Sequence, residues 1–284
     1  MWRNGEGFLF KAEEHARALS DTVKKATKWR VLLKMRYKNI LVEKSKRVGF
    51  ITINRPEKLN TINVAVKNEI YQALSELEKD DNVLVVIMTG AGRAFSSGHG
   101  MSSPSSEESE FVSLKEEEKL LYFEKPIIAA IHGYALGDGL QQALLCDIII
   151  ASENTILGFI GAQVGGLCYG SFTVLPDVVG RNKANELLLT CDRISAQEAH
   201  EIGLVNKVVP YEQLMQTALV MAEKIKKLPP LSIKYTKRAL RRPLVNYNHK
   251  RALEEGFPVI WASEDKEEAL KAFNEKRSPV FKGK

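Results

Sequence analysis

Two glycine-rich segments carry the residue types best suited to chemistry in this chain. Residues 93–100 read Arg-Ala-Phe-Ser-Ser-Gly-His-Gly, and residues 133–139 read Gly-Tyr-Ala-Leu-Gly-Asp-Gly. Each segment follows an apolar stretch of buried-strand length, and the second opens a predicted helix. Turns built from small residues let backbone N–H groups approach a ligand closely. Two such turns aimed into one cavity could stabilise the oxyanion or enolate of a reacting carbonyl compound.

The side chains in these turns that could move a proton are those of His99 and Asp138. An imidazole titrates near neutral pH, so His99 could act as a general acid or base. Asp138 would oppose a negative charge developing nearby unless it points away or is protonated, and it could instead serve as a base. The structural alternatives are a turn histidine and a carboxylate that caps a helix. We interpret His132 and Asp147 as structural residues, the latter in a local cap or pair.

The elements that must position these turns alternate between strands and helices, which favours an α/β fold. Strands are predicted at 40–42, 48–53, 84–89, 127–131 and 147–151, the first two as a β-hairpin, with a helix at 63–77. After residue 195 the pattern is mostly helical. It begins with a capping box at Ser195–Glu198 and a stop at Gly203, and continues with a short strand at 204–209 and helices near 211–227, 231–242, 247–261 and 264–274.

Composition narrows the classes of partner. The chain has 284 residues, of which 44% are hydrophobic and 27% are charged. Its net charge is +6, and its basic and acidic residues alternate along most of the sequence. No nucleic-acid-binding motif and no run of eighteen apolar residues is present, so we predict neither a nucleic-acid partner nor a membrane partner. The three cysteines have no metal-site or disulfide-framework spacing, which fits a reducing, cytoplasmic setting.

The first 35 residues differ from the rest. Residues 8–33 have the spacing of an amphipathic helix, and their acidic side chains argue against a mitochondrial transit peptide. They are either an extra N-terminal helix or the product of a start codon chosen too far upstream. We therefore divide the chain into an extension at 1–35, a core at 36–205 and a C-terminal helical region at 206–284.

Several motifs together resemble the crotonase (enoyl-CoA hydratase/isomerase) family over residues 37–281. They are Asn54–Asn60, Phe95–Gly98, Pro126–Asp147, Leu187–Val209 and Phe273–Phe281. The resemblance implies an α/β fold of the crotonase type, a β-β-α spiral with two near-perpendicular sheets and a C-terminal helical trimerisation region. It also implies an acyl-CoA thioester as substrate, no metal or redox cofactor, and a homotrimer or a dimer of trimers.

The same resemblance assigns roles to individual positions. The oxyanion donors would be the backbone N–H groups of His99 and Asp138. The loop that binds coenzyme A would include Lys58 near the phosphates, and Lys276 could reach phosphates of the same or a neighbouring subunit. The full set of predicted binding residues is Arg55, Lys58, Leu59, Asn60, Ser97, Gly98, Tyr134, Gly137 and Lys276.

Two departures from the family pattern decide how much of its chemistry carries over. The positions of its two catalytic glutamates hold Gln141 and Gly161. Gln141 can orient a water or a carbonyl group but cannot exchange a proton near neutral pH. His99 could replace the missing acid and base. A histidine at this position also occurs in family members that resemble methylmalonyl-CoA decarboxylases, where a tyrosine from the later loop completes the site. In this chain Tyr169 lies in the corresponding segment. Three functions stay open: a hydratase or isomerase with replacement groups, a decarboxylase, and a catalytically silent acyl-CoA-binding protein.

Overall fold

The computed structural model describes residues 37–99, 119–168, 170–240 and 262–280. The predictions for residues 1–35, for Tyr169 and for a helix at 247–261 lie outside these ranges. In the part that is described, no helix is long and apolar enough to cross a bilayer.

The described residues form two β-sheets with helices packed around them. The strands are β1 (Ile40–Ser45), β2 (Val48–Ile53), β3 (Val85–Gly90), β4 (Ile127–Ile131), β5 (Tyr134–Leu136), β6 (Ile148–Ser152), β7 (Ile156–Gly158), β8 (Arg193–Ser195) and β9 (Lys207–Val209). The larger sheet has the order β1-β2-β3-β4-β6-β9, and the smaller has the order β5-β7-β8. Within the larger sheet only the β1–β2 hairpin is antiparallel.

Eight α-helices are described. They are α1 (Val64–Lys79), α2 (Asp138–Leu144), α3 (Ser171–Val179), α4 (Arg181–Thr190), α5 (Ala196–Glu201), α6 (Leu214–Lys226), α7 (Pro230–Leu240) and α8 (Glu264–Asn274). Helix α1 begins where the Asn63 side chain accepts a hydrogen bond from the Val66 N–H, and α5 begins with the predicted Ser195–Glu198 capping box.

The larger sheet is covered on both faces, which explains why its central strands are apolar at nearly every position. One face packs against α1 through residues such as Ile70 and Leu74. The other packs against α6 through Leu214, Ala218 and Ala222. Strands β2, β3 and β4 therefore lie in the core of the protein, and their carboxyl ends are rigid starting points for the turns that follow.

The predicted hairpin, the central strands and helix α1 are confirmed, and their ends agree to within two residues, the usual uncertainty, except that β1 extends three residues further than predicted, to Ser45. The strand predicted at 204–209 covers only Lys207–Val209. Leu204 and Val205 both donate their N–H groups to Ala199 O instead, and this closes the end of α5 rather than extending the sheet. The helix predicted at 211–227 begins as a 3-10 turn at Tyr211–Gln213.

Candidate active site

Three chain segments meet beyond the carboxyl ends of β3 and β4. They are the loop 55–62, the turn 96–99 and the turn 136–138. Backbone hydrogen bonds join the loop to the first turn, from Ser97 N to Leu59 O at 2.9 Å and from Ile62 N to Gly98 O at 2.8 Å. A third bond, from Leu136 N to Ser96 O at 3.0 Å, joins the two turns. The two glycine-rich segments singled out in the sequence are thus brought together.

The two turns touch at a place where only glycine fits. Gly98 has φ +91°, and a Cβ added to it would lie 2.6 Å from Leu136 O and 3.5 Å from Asp138 N. Gly137 has φ +48°, so it also occupies the region that favours glycine. The Gly98 N–H donates to Ser96 Oγ at 3.1 Å, so it is already engaged within the turn. The backbone therefore turns at these glycines just before His99 and Asp138.

The backbone N–H of Asp138 is available for a ligand: no hydrogen bond from it is found among the residues that the structure describes. It opens α2 next to Gly137, whose own N–H donates to Gly158 O at 2.8 Å. His99 follows Gly98 on the opposing turn, and its side chain is 38% exposed. This arrangement suits the stabilisation of an oxyanion by backbone donors.

The Asp138 carboxylate lies between two groups that can carry positive charge. Its Oδ2 is 3.1 Å from Lys67 Nζ and 3.7 Å from His99 Nδ1. Burial acts to raise the pKa of Asp138, but the Lys67 ammonium and the His99 imidazole together outweigh it and hold that pKa below its usual range. Asp138 is therefore an anion at neutral pH and not a proton donor.

Sequence reasoning missed Lys67. It lies in the first turn of α1, is only 8% exposed, and shares the buried helix face with Ile70, Tyr71 and Leu74. The available indication was a lysine at helical spacing within an apolar stripe, because such a lysine is seldom fully buried without a partner. Ser96 was missed as well. Its buried hydroxyl donates to Asn60 O at 2.7 Å and helps to fix the first turn.

Gln141 lies in the interior of α2, with no exposed surface. Its Oε1 accepts a hydrogen bond from Gly170 N at 3.0 Å, which links α2 to the start of α3. The side chain that stands at the position of the first family glutamate thus holds a backbone segment in place. Its predicted catalytic role stays a prediction.

Gly161, at the position of the second family glutamate, has little room for a side chain. A Cβ added there would lie 2.9 Å from Cys168 Sγ and 3.1 Å from Cys168 N. The loop closes on itself through a bond from Gly166 N to Gly161 O at 2.9 Å. Cys168 and its backbone therefore fill the space into which a glutamate would project.

The loop predicted to bind coenzyme A is ordered from within. Asn60 is fully buried, and its side chain accepts from Arg55 N and donates to Ala91 O and Ala94 O. Arg55 donates to Thr61 O at 2.8 Å, and Leu59 has the left-handed φ of +49°. We interpret Asn60 and Arg55 as the residues that shape this loop and leave the exposed Lys58 at its surface.

The remaining predicted residues are spread more widely. Ser97 lies in the first turn, and Tyr134, 38% exposed, lies in β5 just before the second. Lys276 follows α8 and is exposed, and no hydrogen bond or ion pair joins it to the site within the described ranges.

Asp147 does not pair locally as predicted. It binds Lys237, far along the chain, because α7 packs against the amino ends of β4 and β6.

Similarity to known proteins shows the family of this chain. The sequence model described as Enoyl-CoA hydratase/isomerase matches residues 43–284. The chain belongs to the enoyl-CoA hydratase/isomerase family. A relative named short-chain-enoyl-CoA hydratase, from Clostridium acetobutylicum, is 39% identical over 255 residues, which cover 86% of this chain and 97% of the relative.

Solved structures of the enoyl-CoA hydratase/isomerase family share the fold. A carnitinyl-CoA hydratase from Mycobacterium avium has a TM-score of 0.76 at 33% identity, covering 88% of this chain and 100% of its own. A methylmalonyl-CoA decarboxylase in complex with 2-nitronate-propionyl-CoA has a TM-score of 0.77 at 26% identity, with the same coverage. The predicted crotonase fold with its two sheets is confirmed. Among the described residues, no group of three or more His, Cys, Asp or Glu side chains could hold a metal ion.

Proposed function

We propose that this chain, an enoyl-CoA hydratase-like member of the crotonase family, binds an acyl-CoA thioester and stabilises its enolate between two backbone N–H groups. These are the N–H groups of His99 and Asp138. The observation that carries the proposal is the contact of the two turns at Gly98, which brings both residues to one place. Family membership supplies the thioester, and the turns supply donors fixed before the reaction begins.

The His99 imidazole is the proton-transfer group in this proposal. Because Asp138 is ionised, it favours a proton on Nδ1 of His99, and this leaves Nε2 as the basic nitrogen. In the hydration of a 2-enoyl thioester, Nε2 takes a proton from water while the water oxygen bonds to the β-carbon and the electron pair moves to the thioester oxygen. The resulting imidazolium then returns the proton to the α-carbon, so one side chain serves as base and then as acid.

The glutamate positions of the family have lost this role in the proposal. Gln141 is buried and bonded to Gly170 N, and Gly161 faces the filled space around Cys168. Neither position offers a titrating group to a substrate, whereas His99 is partly exposed and lies in the first turn itself. Proton transfer in this site therefore depends on one imidazole, whereas the family pattern has two glutamates for it.

Binding of coenzyme A belongs to the loop 55–60 in this proposal. Lys58, and Lys276 of the same or a neighbouring subunit, supply positive charge for the phosphates, with Leu59, Ser97, Gly137 and Tyr134 along the path of the thioester. A homotrimer or a dimer of trimers, a cytoplasmic location and independence from any metal or redox cofactor complete the proposal.

Decarboxylation is a second candidate function. It needs a site that stabilises an enolate and a group that orients the substrate carboxylate, but no strong base. Two observations favour it: the structural likeness to a methylmalonyl-CoA decarboxylase, and the partly exposed imidazole of His99 in the first turn. Tyr169 would be the hydrogen-bonding group supplied by the later loop.

The test is turnover of crotonyl-CoA and methylmalonyl-CoA by the wild type and by His99→Gln. We expect hydration of crotonyl-CoA and a loss of about 10² to 10⁴-fold in kcat for His99→Gln, with a smaller change in KM, as for removal of a general acid–base group. His200→Gln is the matched control, since His200 is exposed and its ring bonds the nearby Val205 O rather than a residue of either turn.

Each other outcome rejects a specific part of the proposal. Loss of CO2 from methylmalonyl-CoA without hydration favours the decarboxylase. Thioester binding without turnover, unchanged in Gln141→Glu, favours a silent acyl-CoA-binding protein. Hydration that is equally fast in His99→Gln contradicts the role of the imidazole.

A further inference from the structure

Lys67 places a buried positive charge beside the second turn. Its Nζ lies 3.1 Å from Asp138 Oδ2, and the Lys67 and Asp138 side chains are only 10% and 16% exposed. The other buried residues of α1 are apolar apart from the Tyr71 hydroxyl. A lysine in this stripe is therefore an exception that calls for an explanation.

Stability is a weak explanation for the pair. Taking two charges out of water costs free energy that their attraction often fails to return, so apolar side chains of similar size commonly serve a fold as well or better. The location of the pair is more informative. Asp138 ends the second turn and opens α2, opposite His99. Its negatively charged carboxylate therefore belongs to the same residue as the backbone N–H proposed to stabilise the enolate.

A charge count shows what Lys67 does at this place. Asp138 contributes −1 and Lys67 contributes +1, so with a neutral His99 the cluster sums to zero, and with a protonated His99 it sums to +1. Without Lys67 the same cluster would be −1 with a neutral imidazole. A net negative cluster would oppose the negative charge that develops on a thioester oxygen a few ångströms away.

We propose that Lys67 is a positioning residue that neutralises Asp138 and so allows a thioester enolate to form between the two turns. This inference rests on the proposed function of the turns. Lys67 acts through Asp138 and does not touch the substrate. Asp138 remains the partner of His99. Because Lys67 neutralises its charge, an acidic side chain can lie beside a site that binds an anion.

The test uses acetoacetyl-CoA, a 3-oxoacyl thioester whose enolate absorbs in the near ultraviolet. A pH titration of the bound compound gives the apparent pKa of its enolisation without any need for turnover. The variants are Lys67→Gln, Lys67→Arg, Asp138→Asn and the double variant Lys67→Gln/Asp138→Asn. Lys67→Gln keeps a hydrogen-bond donor beside Asp138 while removing the charge. If Lys67→Gln does not fold, Lys67→Met takes its place in the experiment.

We expect Lys67→Gln to raise the apparent pKa of bound acetoacetyl-CoA by about one to three units, the size of shift that one nearby charge causes. The kcat for crotonyl-CoA should fall by about 10²-fold, comparable to the loss of one oxyanion donor, with less change in KM. In the Asp138→Asn background the same change takes the cluster from +1 to 0 and never makes it negative, so the double variant should enolise acetoacetyl-CoA about as well as the wild type. Lys67→Arg should restore most of the wild-type behaviour.

Lys237→Met is the matched control, since Lys237 is equally buried and equally paired with an aspartate, but at the opposite edge of the sheet. It should leave the enolisation pKa unchanged. The inference is overturned if Lys67→Gln enolises acetoacetyl-CoA like the wild type, or if the double variant enolises it as poorly as Lys67→Gln does. If the wild type itself neither shifts the enolisation nor hydrates crotonyl-CoA, the proposed function fails, and the inference fails with it.

Discussion

Two buried lysine–aspartate pairs lie at opposite edges of the larger sheet, and they differ in what surrounds them. Lys67 and Lys237 are each 8% exposed. Lys237 Nζ lies 2.5 Å from Asp147 Oδ2 and also donates to Lys125 O at 2.9 Å, while Asp147 accepts from Ile127 N at 2.7 Å. These contacts tie α7 to the amino ends of β4 and β6.

The Lys67–Asp138 pair has a different environment. It lies beyond the carboxyl ends of β3 and β4, where open α/β sheets bind their ligands. The second partner of the Asp138 carboxylate is a partly exposed imidazole, whereas the second partner of the Asp147 carboxylate is a backbone N–H. An ion pair of the same kind thus fixes the fold at one edge and, in the role proposed for Lys67, tunes a site at the other. The other contacts of the carboxylate, rather than the pair itself, distinguish the two roles.

The largest effect that sharpens this contrast is expected from Gly98→Ala. The new Cβ would lie 2.6 Å from Leu136 O at a φ of +91°, so the two turns must separate. We expect kcat for crotonyl-CoA to fall by about 10² to 10³-fold, the range for a lost oxyanion donor.

Gly180→Ala is the matched control for that experiment. Gly180 also has a positive φ, +80°, but a Cβ there meets no described atom within 4 Å. It should cost about 1 to 3 kcal/mol of unfolding free energy, because φ +80° with ψ 153° lies in a region essentially restricted to glycine, and turnover of the folded variant should be unchanged. Wild-type turnover in Gly98→Ala would show that the contact between the turns is not needed.

A smaller effect, of a different kind, is expected from Lys237→Met. Removing one partner of a buried pair leaves an uncompensated charge, which costs about 3 kcal/mol of unfolding free energy. Asp147 keeps some exposed surface, so water limits the loss to the low end of the usual range. Urea denaturation measures the stability, and crotonyl-CoA turnover of the folded variant should match the wild type. If Lys237→Met lowers kcat as Lys67→Gln does, the distinction between the two pairs is lost.

Much of the fold could be predicted because its strands carry clear local patterns. Strands β2, β3 and β4 are short apolar runs bounded by turns, and the capping box at Ser195 is a local motif. The three-residue strands β5, β7 and β8 were not predicted, since so few residues show no periodicity. Their pairing comes from the tertiary structure and not from their own sequence.

The meeting of the two turns was predictable from their motifs, whereas contacts that depend on distant packing were not. His99 and Asp138 stand out because they lie in glycine-rich turns. Lys67 and Lys237 do not, because each meets its aspartate only after the chain has folded. The helical pattern of α1 indicated which face is buried, but nothing local showed that a charge on this face would find Asp138.

The smallest predicted effect concerns His132, at the carboxyl end of β4 near the site. His132 is 4% exposed, its Nε2–H donates to Gly92 O at 3.1 Å, and its backbone O accepts from Phe95 N at 2.8 Å, so it braces the segment that leads to the first turn. Its ring packs edge-on against Tyr211, whose phenol stays neutral because burial raises its pKa to about 12. Burial lowers the pKa of His132 to about 4, although the Gly92 carbonyl partly opposes this.

Because the unfolded chain has the ordinary histidine pKa of about 6.5, it binds more protons than the folded chain between pH 6.5 and pH 4. The contribution of a neutral His132 to stability is therefore fully present above about pH 6.5 and is lost as the pH falls toward 4. We expect the loss of this contribution to lower the unfolding free energy by about 2 kcal/mol between pH 7 and pH 5. His132→Gln, which cannot titrate, should show a pH dependence weaker by that amount in urea denaturation. Equal pH dependence in the wild type and His132→Gln would mean that protonation of His132 does not weaken the fold.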